Sequence, residues 1–345
     1  MTTQKKPSIT TPAGRAQMAD IARLAGVAVS TVSRALAGSP LVNEKTRARV
    51  AELAASLNYS VNVGAQNLRL KQINTIAVIV PYDTATRQSL SDPFFLALIG
   101  SIADACTKRG FDMLLSRVDA EHLNDAGRPY TTGRALGIIL IGQWHHHDQL
   151  NELALRRVPL VVWGAKLPQQ LYCTVGSDNL AGGRLAVEHL LNQGAQHIAF
   201  LGDPSLPEIA QRYEGYVQAH RARGLSPTPA LCRPVPFVSA AIEQDLDALL
   251  DSGEPLDAIF ASSDLVAMTA ISTLRRHGRR VPEDVAVIGY DDIALAVHYQ
   301  PPLSTVRQSI DVAGEALVGA LIAQLEGEGT LPVELPTELV LRQTA

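Results

Sequence analysis

Between residues 17 and 57 the apolar positions recur at the three-and-four spacing of short helices. Ile21, Leu24 and Ala25 fall at i, i+3 and i+4, which predicts a single inward stripe on a helix over 18–25. Gly26 can take φ > 0 and end that helix sharply. In the next segment Val32, Ala35 and Leu36 point inward on a second helix, leaving Ser30, Thr31, Ser33 and Arg34 outside. Asn43 is an N-cap for a third helix, with Glu44 in its first turn, where the helix dipole favours an acid. Val50, Leu53, Ala54 and Leu57 form its expected buried stripe. Two short helices joined at a glycine turn, the second with a polar and basic outer face, predict a helix-turn-helix head over 17–60. A solvated three-helix cap is the plainer alternative.

From residue 75 the pattern changes to short apolar runs alternating with amphipathic stretches. Strands are predicted at 75–80, 111–115, 137–141, 160–162 and 173–177, then at 198–201, 258–260 and 285–289. Helices are predicted at 94–109 (ending at Gly110), around 122–131, and at 148–156, 179–193, 208–223, 240–251, 264–276 and 312–326. Two runs of βα units predict an α/β body of two doubly wound parallel-sheet lobes over 73–345. Lobe one spans about 75–178 and lobe two about 195–305, and the C-terminal segment with Pro301-Pro302 crosses between them. Head and body are joined by a hinge at 61–72, too short to hold a helix alone because isolated helices below about 12 residues are marginal in water. A plain linker remains the other reading of that stretch.

Composition narrows the class. With 345 residues, 46% hydrophobic and 19% charged, the chain reads as a soluble multidomain protein. No apolar run approaches the roughly 18 residues that span a bilayer, so no membrane partner is expected. Residues 1–16 lack the apolar core of a signal peptide and read as a disordered basic tail. Cys106, Cys173 and Cys232 show no CxxC spacing, so neither a disulfide framework nor zinc is indicated, and the expected compartment is the reducing cytoplasm. Up to residue 75 there are ten Lys or Arg and three acids, a net +7, which leaves −11 for the rest of a chain whose net charge is −4. A basic head on an acidic body places phosphate-binding electrostatics at one end.

Ligands of doubly wound folds bind outside the carboxyl ends of the strands. The loops there hold Pro81-Tyr82-Asp83, Asp92, Phe94, Trp144, Trp163, Arg212, Phe237, Ser262-Ser263-Asp264 and Gly289-Tyr290-Asp291-Asp292. Both tryptophans of the chain fall in this set, although aromatics make up only 5% of the residues. Aromatic faces for C–H stacking, beside Asp, Asn and Arg for hydroxyls, suit a sugar. Lobe-edge packing is the alternative for each tryptophan. His145-His146-His147 read as a solvated loop at the cleft mouth, because consecutive residues diverge and no partner stands at i+4, so no metal is expected. No GxGxxG, Walker sequence or placed nucleophile–base set is visible, so no cofactor and no enzyme are expected.

The head residues Asp20-Ile21-Ala22, Ala25-Gly26-Val27, Thr31-Val32-Ser33-Arg34-Ala35-Leu36, Val42-Asn43, Thr46-Arg47, Val50 and Leu57-Asn58-Tyr59 resemble the lactose-repressor (LacI/GalR) family of bacterial transcription regulators. Asp178-Asn179, Gly182-Gly183, Arg212 with Gly215, Ser262 with Asp264, and Gly289-Tyr290-Asp291 extend the resemblance through the body. It implies a periplasmic-binding-protein-like effector domain and a recognition helix with Val29 and Ser30 choosing bases, Arg34 contacting guanine, and Thr31 and Ser33 touching backbone or base edges. These roles suit the chemistry of arginine and short hydroxyls. Asn58 and Tyr59 belong to the same DNA-binding set. In the hinge it implies helix formation on operator DNA, with Leu68 as a minor-groove wedge and Gln66 beside it. Ala28 and Gln17 depart from the family's capping hydroxyls, at a cost of order ~1 kcal/mol each. In the body Arg212 and Asp291 become polar anchors of a sugar, with Asp92, Phe94, Phe237 and Asp264 lining the cleft. A lobe-closing ion pair is the alternative for Arg212 and Asp291. Purine-sensing relatives place extra polar contacts at the positions of Leu206 and Glu208, which disfavours a nucleobase here.

The expectation is a repressor acting as a homodimer on a pseudopalindromic operator, and the resemblance implies the helices starting at Phe94 and Asp264 as candidate subunit contacts. A purine-responsive regulator, a solute-binding protein without a DNA role, and a sugar-modifying enzyme are the competing readings.

Overall fold

A computed structural model describes residues 17–36, 39–57, 73–83, 89–236 and 239–345. The predicted tail, the hinge with Gln66 and Leu68, and Asn58, Tyr59 and Phe237 lie outside the described residues. The chain divides into two compact units, one within residues 1–72 and one over residues 73–345.

The head contains α1 (Met18–Ala25), α2 (Val29–Leu36) and α3 (Glu44–Ser56). Ile21, Val32 and Val50 are fully buried at its centre, with Ala22, Ala25, Ala35, Val42 and Ala54 around them. Leu24, expected in the stripe of α1, is 43% exposed, and Ala22 takes the inward place instead. The buried face of so short a helix is set by i, i+1 and i+4, because 100° per residue carries position 24 past the edge of the stripe. Gly26 ends α1 in the left-handed conformation (φ +67°). Asn43 caps α3 through its Oδ1, which accepts from the Thr46 N–H at 2.8 Å. The missing hydroxyl at Gln17 is partly replaced from inside the helix: Asp20 accepts the Gln17 N–H at 3.0 Å.

The body is built on two sheets. The first has the order β11-β5-β4-β3-β1-β2 and is parallel throughout, comprising β1 (Thr75–Tyr82), β2 (Asp112–Asp119), β3 (Gly137–Ile141), β4 (Leu160–Trp163), β5 (Cys173–Ser177) and β11 (Val333–Leu335). The second has the order β12-β10-β9-β8-β6-β7, from β6 (Ile198–Leu201), β7 (Cys232–Arg233), β8 (Ala258–Ala261), β9 (Ala286–Asp291), β10 (Ser304–Gln308) and β12 (Thr337–Val340), with only β12 antiparallel. The helices are α4 (Pro93–Lys108), α5 (Arg128–Thr131), α6 (His147–Leu155), α7 (Asn179–Asn192), α8 (Pro207–Ala222), α9 (Ser239–Asp251), α10 (Asp264–Arg276) and α11 (Ile310–Leu325). Central strands such as Gly137–Ile141 are buried at every position, as strands covered on both faces must be.

Three features differ from the expectation. The helix expected around 122–131 is a 3₁₀ segment, Ala120–Gly127, followed by the single turn of α5. Pro129 has no N–H to donate and so cannot continue a helix arriving from 125. Pro301-Pro302 does not carry the chain between lobes: it precedes β10, which still belongs to the second sheet. The passage comes after Gln308, where α11 returns to the first lobe and buries Ala313, Leu317, Val318 and Leu321 against α4 and the first sheet. β11 then joins the first sheet and β12 the second, so three backbone segments connect the lobes, at 177–179, 308–310 and 335–337. They are tied to one another: Asp178 N–H donates to Leu335 O (2.9 Å), Ser309 Oγ donates to Pro336 O (2.9 Å) and Ser177 Oγ donates to Gln308 Oε1 (2.7 Å).

Candidate functional site

On the head, α2 turns Ser30 and Arg34 to solvent with Val29, which is 44% exposed, and keeps Thr31 and Ser33 half-buried. Val32 and Ala35 anchor its opposite face. The predicted base- and backbone-contacting residues that are described therefore share one accessible helix face.

In the body, the carboxyl ends of β1, β3 and β4 face those of β9 and β10 across a crevice of about 690 Å³, part of it open to solvent. Lobe one supplies Asp92, Phe94, Gln143, Trp144 and Trp163, and lobe two supplies Glu208, Arg212, Ser263, Asp291 and Gln308. Asp92 is the N-cap of α4, its Oδ1 accepting the Phe94 N–H at 3.0 Å. The Phe94 ring lies 6.3 Å from that of Trp163 at 48°. Trp144 adopts a left-handed backbone (φ +51°) and is only 8% exposed. Such a conformation costs a bulky residue energy, and it is held here by the turn that starts at Gly142.

Arg212 is fixed before any ligand arrives. Its Nε donates to Asn179 Oδ1 at 2.8 Å and its Nη1 donates to the Ser262 carbonyl. The guanidinium lies 3.7 Å from the centroid of the Tyr290 ring, a cation–π contact that is strengthened by burial. These contacts account for two of the sequence motifs. Asp178 caps α7 through the Ala181 N–H at 2.9 Å while Asn179 orients Arg212. A Cβ on Gly183 would lie 2.2 Å from the Arg212 carbonyl oxygen, and one on Gly215 would lie 2.3 Å from that of Leu180, so α7 and α8 touch backbone to backbone.

Asp291 closes β9 with φ +118° and accepts a hydrogen bond from Gln308 Nε2 at 2.7 Å. Burial pushes its carboxyl well above the usual range; Arg212 opposes the shift, and Asp264 and Asp92 add to it. Burial likewise raises Glu208, again against Arg212. The neighbouring Asp292 points elsewhere, to Arg307 at 2.7 Å and Arg342 at 2.6 Å. Arg212 and Asp291 both belong to lobe two, and among the described residues they form no direct ion pair, so the lobe-closing pair is not observed.

Six predicted cleft residues are brought together: Asp92, Phe94, Trp144, Trp163, Arg212 and Asp291. Asp264 is not among them. It is fully buried inside α10, where its carboxyl accepts the Ile293 N–H at 2.8 Å and the Thr305 hydroxyl. The lining residue is Ser263, the N-cap of α10. Gln143 and Ser263, on loops that the sequence places at the cleft, were not singled out as lining, and Gln308 was missed because it ends a strand, β10, that the apolar pattern did not reveal. Leu206 and Glu208 also line the crevice. The three histidines separate, His146 toward Glu121 (3.6 Å) and His147 to the Tyr172 hydroxyl (2.9 Å). Among the described residues no cluster of ligating side chains could hold a metal ion, and no helix is long and apolar enough to cross a membrane.

Comparison with known proteins agrees with both halves. Residues 17–62 match the model of bacterial regulatory proteins of the lacI family, and residues 187–345 match a periplasmic binding protein-like domain. The chain is 33% identical to the HTH-type transcriptional regulator CelR of Thermobifida fusca over 332 residues, covering 94% of this chain and 96% of CelR. It is 31% identical to the HTH-type transcriptional repressor CytR of Escherichia coli K12 over 334 residues, 95% of each. Among solved structures it is similar to the Lac repressor dimer bound to operator and the anti-inducer ONPF, with TM-score 0.85, 27% identity and 95% and 98% coverage. It is also similar to a CelR–cellobiose complex, with TM-score 0.70, 31% identity and 96% and 100% coverage. These relatives are transcription regulators, and none named here is an enzyme. With a helix-turn-helix head and a two-lobed body, the chain belongs to the lacI family of bacterial regulatory proteins, DNA-binding regulators of transcription.

Proposed function

We propose that the chain is a cytoplasmic repressor whose operator affinity is set by a small sugar bound between the lobes. The observation that carries this is the composition of the crevice: four aromatic side chains on one wall face a fixed arginine and two carboxyls on the other. Aromatic faces take the C–H faces of a pyranose or furanose, while Arg212 and Asp291 take hydroxyls as donor and acceptor. Among the described residues that line the crevice Arg212 is the only cation, against Asp92, Glu208 and Asp291, which favours a neutral or amino sugar over a phosphorylated one. Because every lobe connection is tied to the next beside Gln308, a sugar that pulls the walls together changes the setting of the lobes. On the head, Arg34, Val29 and Ser30 read bases and Thr31 and Ser33 hold register, with Asn58, Tyr59, Gln66 and Leu68 completing the contact. One head reads a half-site, so the working species is a homodimer on a pseudopalindrome, in line with the operator-bound Lac repressor dimer.

Operator selection from random DNA followed by gel shift tests the first half. Salt-sensitive binding to a palindrome is expected, and its absence from the purified protein overturns the regulator mechanism. Thermal-shift and calorimetric titration with cellobiose, D-glucose, D-galactose, D-ribose, lactose and hypoxanthine tests the second. Binding of a sugar that also alters the gel shift is expected. Binding of hypoxanthine alone overturns the sugar reading.

A further inference from the structure

β3 enters the crevice through Gly142, Gln143 and Trp144, and the outer two residues of that turn have left-handed backbones (φ +94° and +51°). Gln143, between them, is fully buried although it lines the crevice. Its Nε2 donates to the Ala165 carbonyl at 2.7 Å and to the Tyr172 hydroxyl at 2.9 Å. Both amide protons are therefore placed, and the amide cannot be reversed without setting Oε1 against a carbonyl oxygen. Oε1 is buried and has no hydrogen-bond partner among the described residues.

The surroundings are built to keep it there. A Cβ at Gly164 would lie 2.7 Å from Oε1 and from the amide carbon, so glycine at 164 leaves the volume that the amide fills. The remaining lobe-one wall is largely apolar, with Ile141, Phe94, Phe95, Trp144 and Trp163. A buried acceptor held rigidly in an apolar wall, with no donor of its own, calls for one from outside. We propose that Gln143 Oε1 is a specificity-determining acceptor, taking a hydrogen bond from one hydroxyl of the bound sugar on the lobe-one side. This rests on the crevice being a sugar receptor. Its consequence is selection by donor: a sugar whose hydroxyl at that position is replaced by fluorine, which keeps the size but cannot donate, leaves the acceptor orphaned and is rejected.

The test titrates wild type and Gln143→Leu with the sugar panel above, then with the monofluoro analogues of whichever sugar binds. On wild type, one analogue binds at least tenfold more weakly than its parent. On Gln143→Leu the parent is weakened at least tenfold and that analogue is weakened no further. This non-additivity separates a lost hydrogen bond from a disturbed fold, which would add its effect to both ligands. Equal affinity of wild type and Gln143→Leu for the parent sugar overturns the proposal and leaves the sugar receptor standing, and so do additive losses. Failure of every sugar to bind wild type overturns the receptor reading, and this inference falls with it.

Discussion

Asp264 has both carboxyl oxygens enclosed, one accepting the Ile293 N–H and the other the Thr305 hydroxyl. Burial dominates over those two bonds and pushes its carboxyl up to about 7, with Asp292 adding to the shift and Arg342 opposing it. A carboxyl raised in the folded state binds a proton there that the unfolded chain has already lost between about pH 4 and 7. The folded state therefore holds more protons in that window, and stability falls as pH rises through it, by up to about 1.4 kcal/mol per pH unit. Asp264→Asn removes the titration, so the difference in Tm between wild type and variant should shift against wild type from pH 4 to pH 8, read by thermal melts in a buffer series. A constant difference would show that Asp264 does not titrate there. Arg212 gives the second prediction at this scale. Arg212→Ala removes the crevice's cation without touching α2, so operator affinity should hold while the sugar response in gel shift is lost; a retained response takes Arg212 out of the anchor role. Loop position placed Asp291 and the two tryptophans at the ligand end, because charge and aromaticity just after a strand are visible in one dimension; the anchor roles of Asp291 and of Arg212, which lies inside α8, came from the family resemblance. Loop position did not separate Ser263 from Asp264, since which of two adjacent side chains faces the crevice depends on where α10 begins.

Elements carry those residues by close backbone approach. Gly183 of α7 meets the carbonyl of Arg212 in α8, and Gly215 of α8 meets that of Leu180 in α7. Gly314 of α11 does the same against Ser101 of α4, at 2.2 Å for a Cβ. Backbone cannot yield as a flexible side-chain end can, so a methyl at any of the three forces helices apart, at a cost of about 1–3 kcal/mol or more. Gly215→Ala and Gly314→Ala should both lower the midpoint of urea unfolding. Only Gly215→Ala should also weaken sugar binding, because it displaces the helix that positions Arg212. Equal loss of sugar affinity in both would place the effect in global stability. Apolar runs revealed the central strands because burial on both faces leaves few polar positions, as in Ile138–Ile141. They concealed β10, β11 and β12, where Ser304-Thr305-Val306-Arg307-Gln308 and the short edges past residue 332 mix polar and apolar residues. Their strand character comes from partners far along the chain, and the three lobe connections went unread with them. Gln308 belongs to that loss: it joins the Ser177 hydroxyl at one connection to Asp291 in the crevice.

At the scale of the whole molecule, a DNA-binding head and a crevice in the body set a thermodynamic constraint that holds whichever way the effector acts. If a sugar changes operator affinity by some factor, operator DNA must change sugar affinity by the same factor, because both are legs of one cycle. The chain Ser177–Gln308–Asp291 is the place where the crevice meets the lobe connections, so Gln308→Ala should shrink that shared factor. It should do so while leaving operator affinity without sugar within about twofold, since the head is untouched. The measurement is a pair of titrations on wild type and variant: sugar into protein with and without operator, and operator into protein with and without sugar. The two ratios should agree for each protein, with both closer to one in Gln308→Ala. Agreement of the ratios at an undiminished value would move the coupling away from Gln308 to the other connections. A shared ratio of one in wild type would mean that sugar and operator are uncoupled, and the crevice would lose its role as the regulator's input.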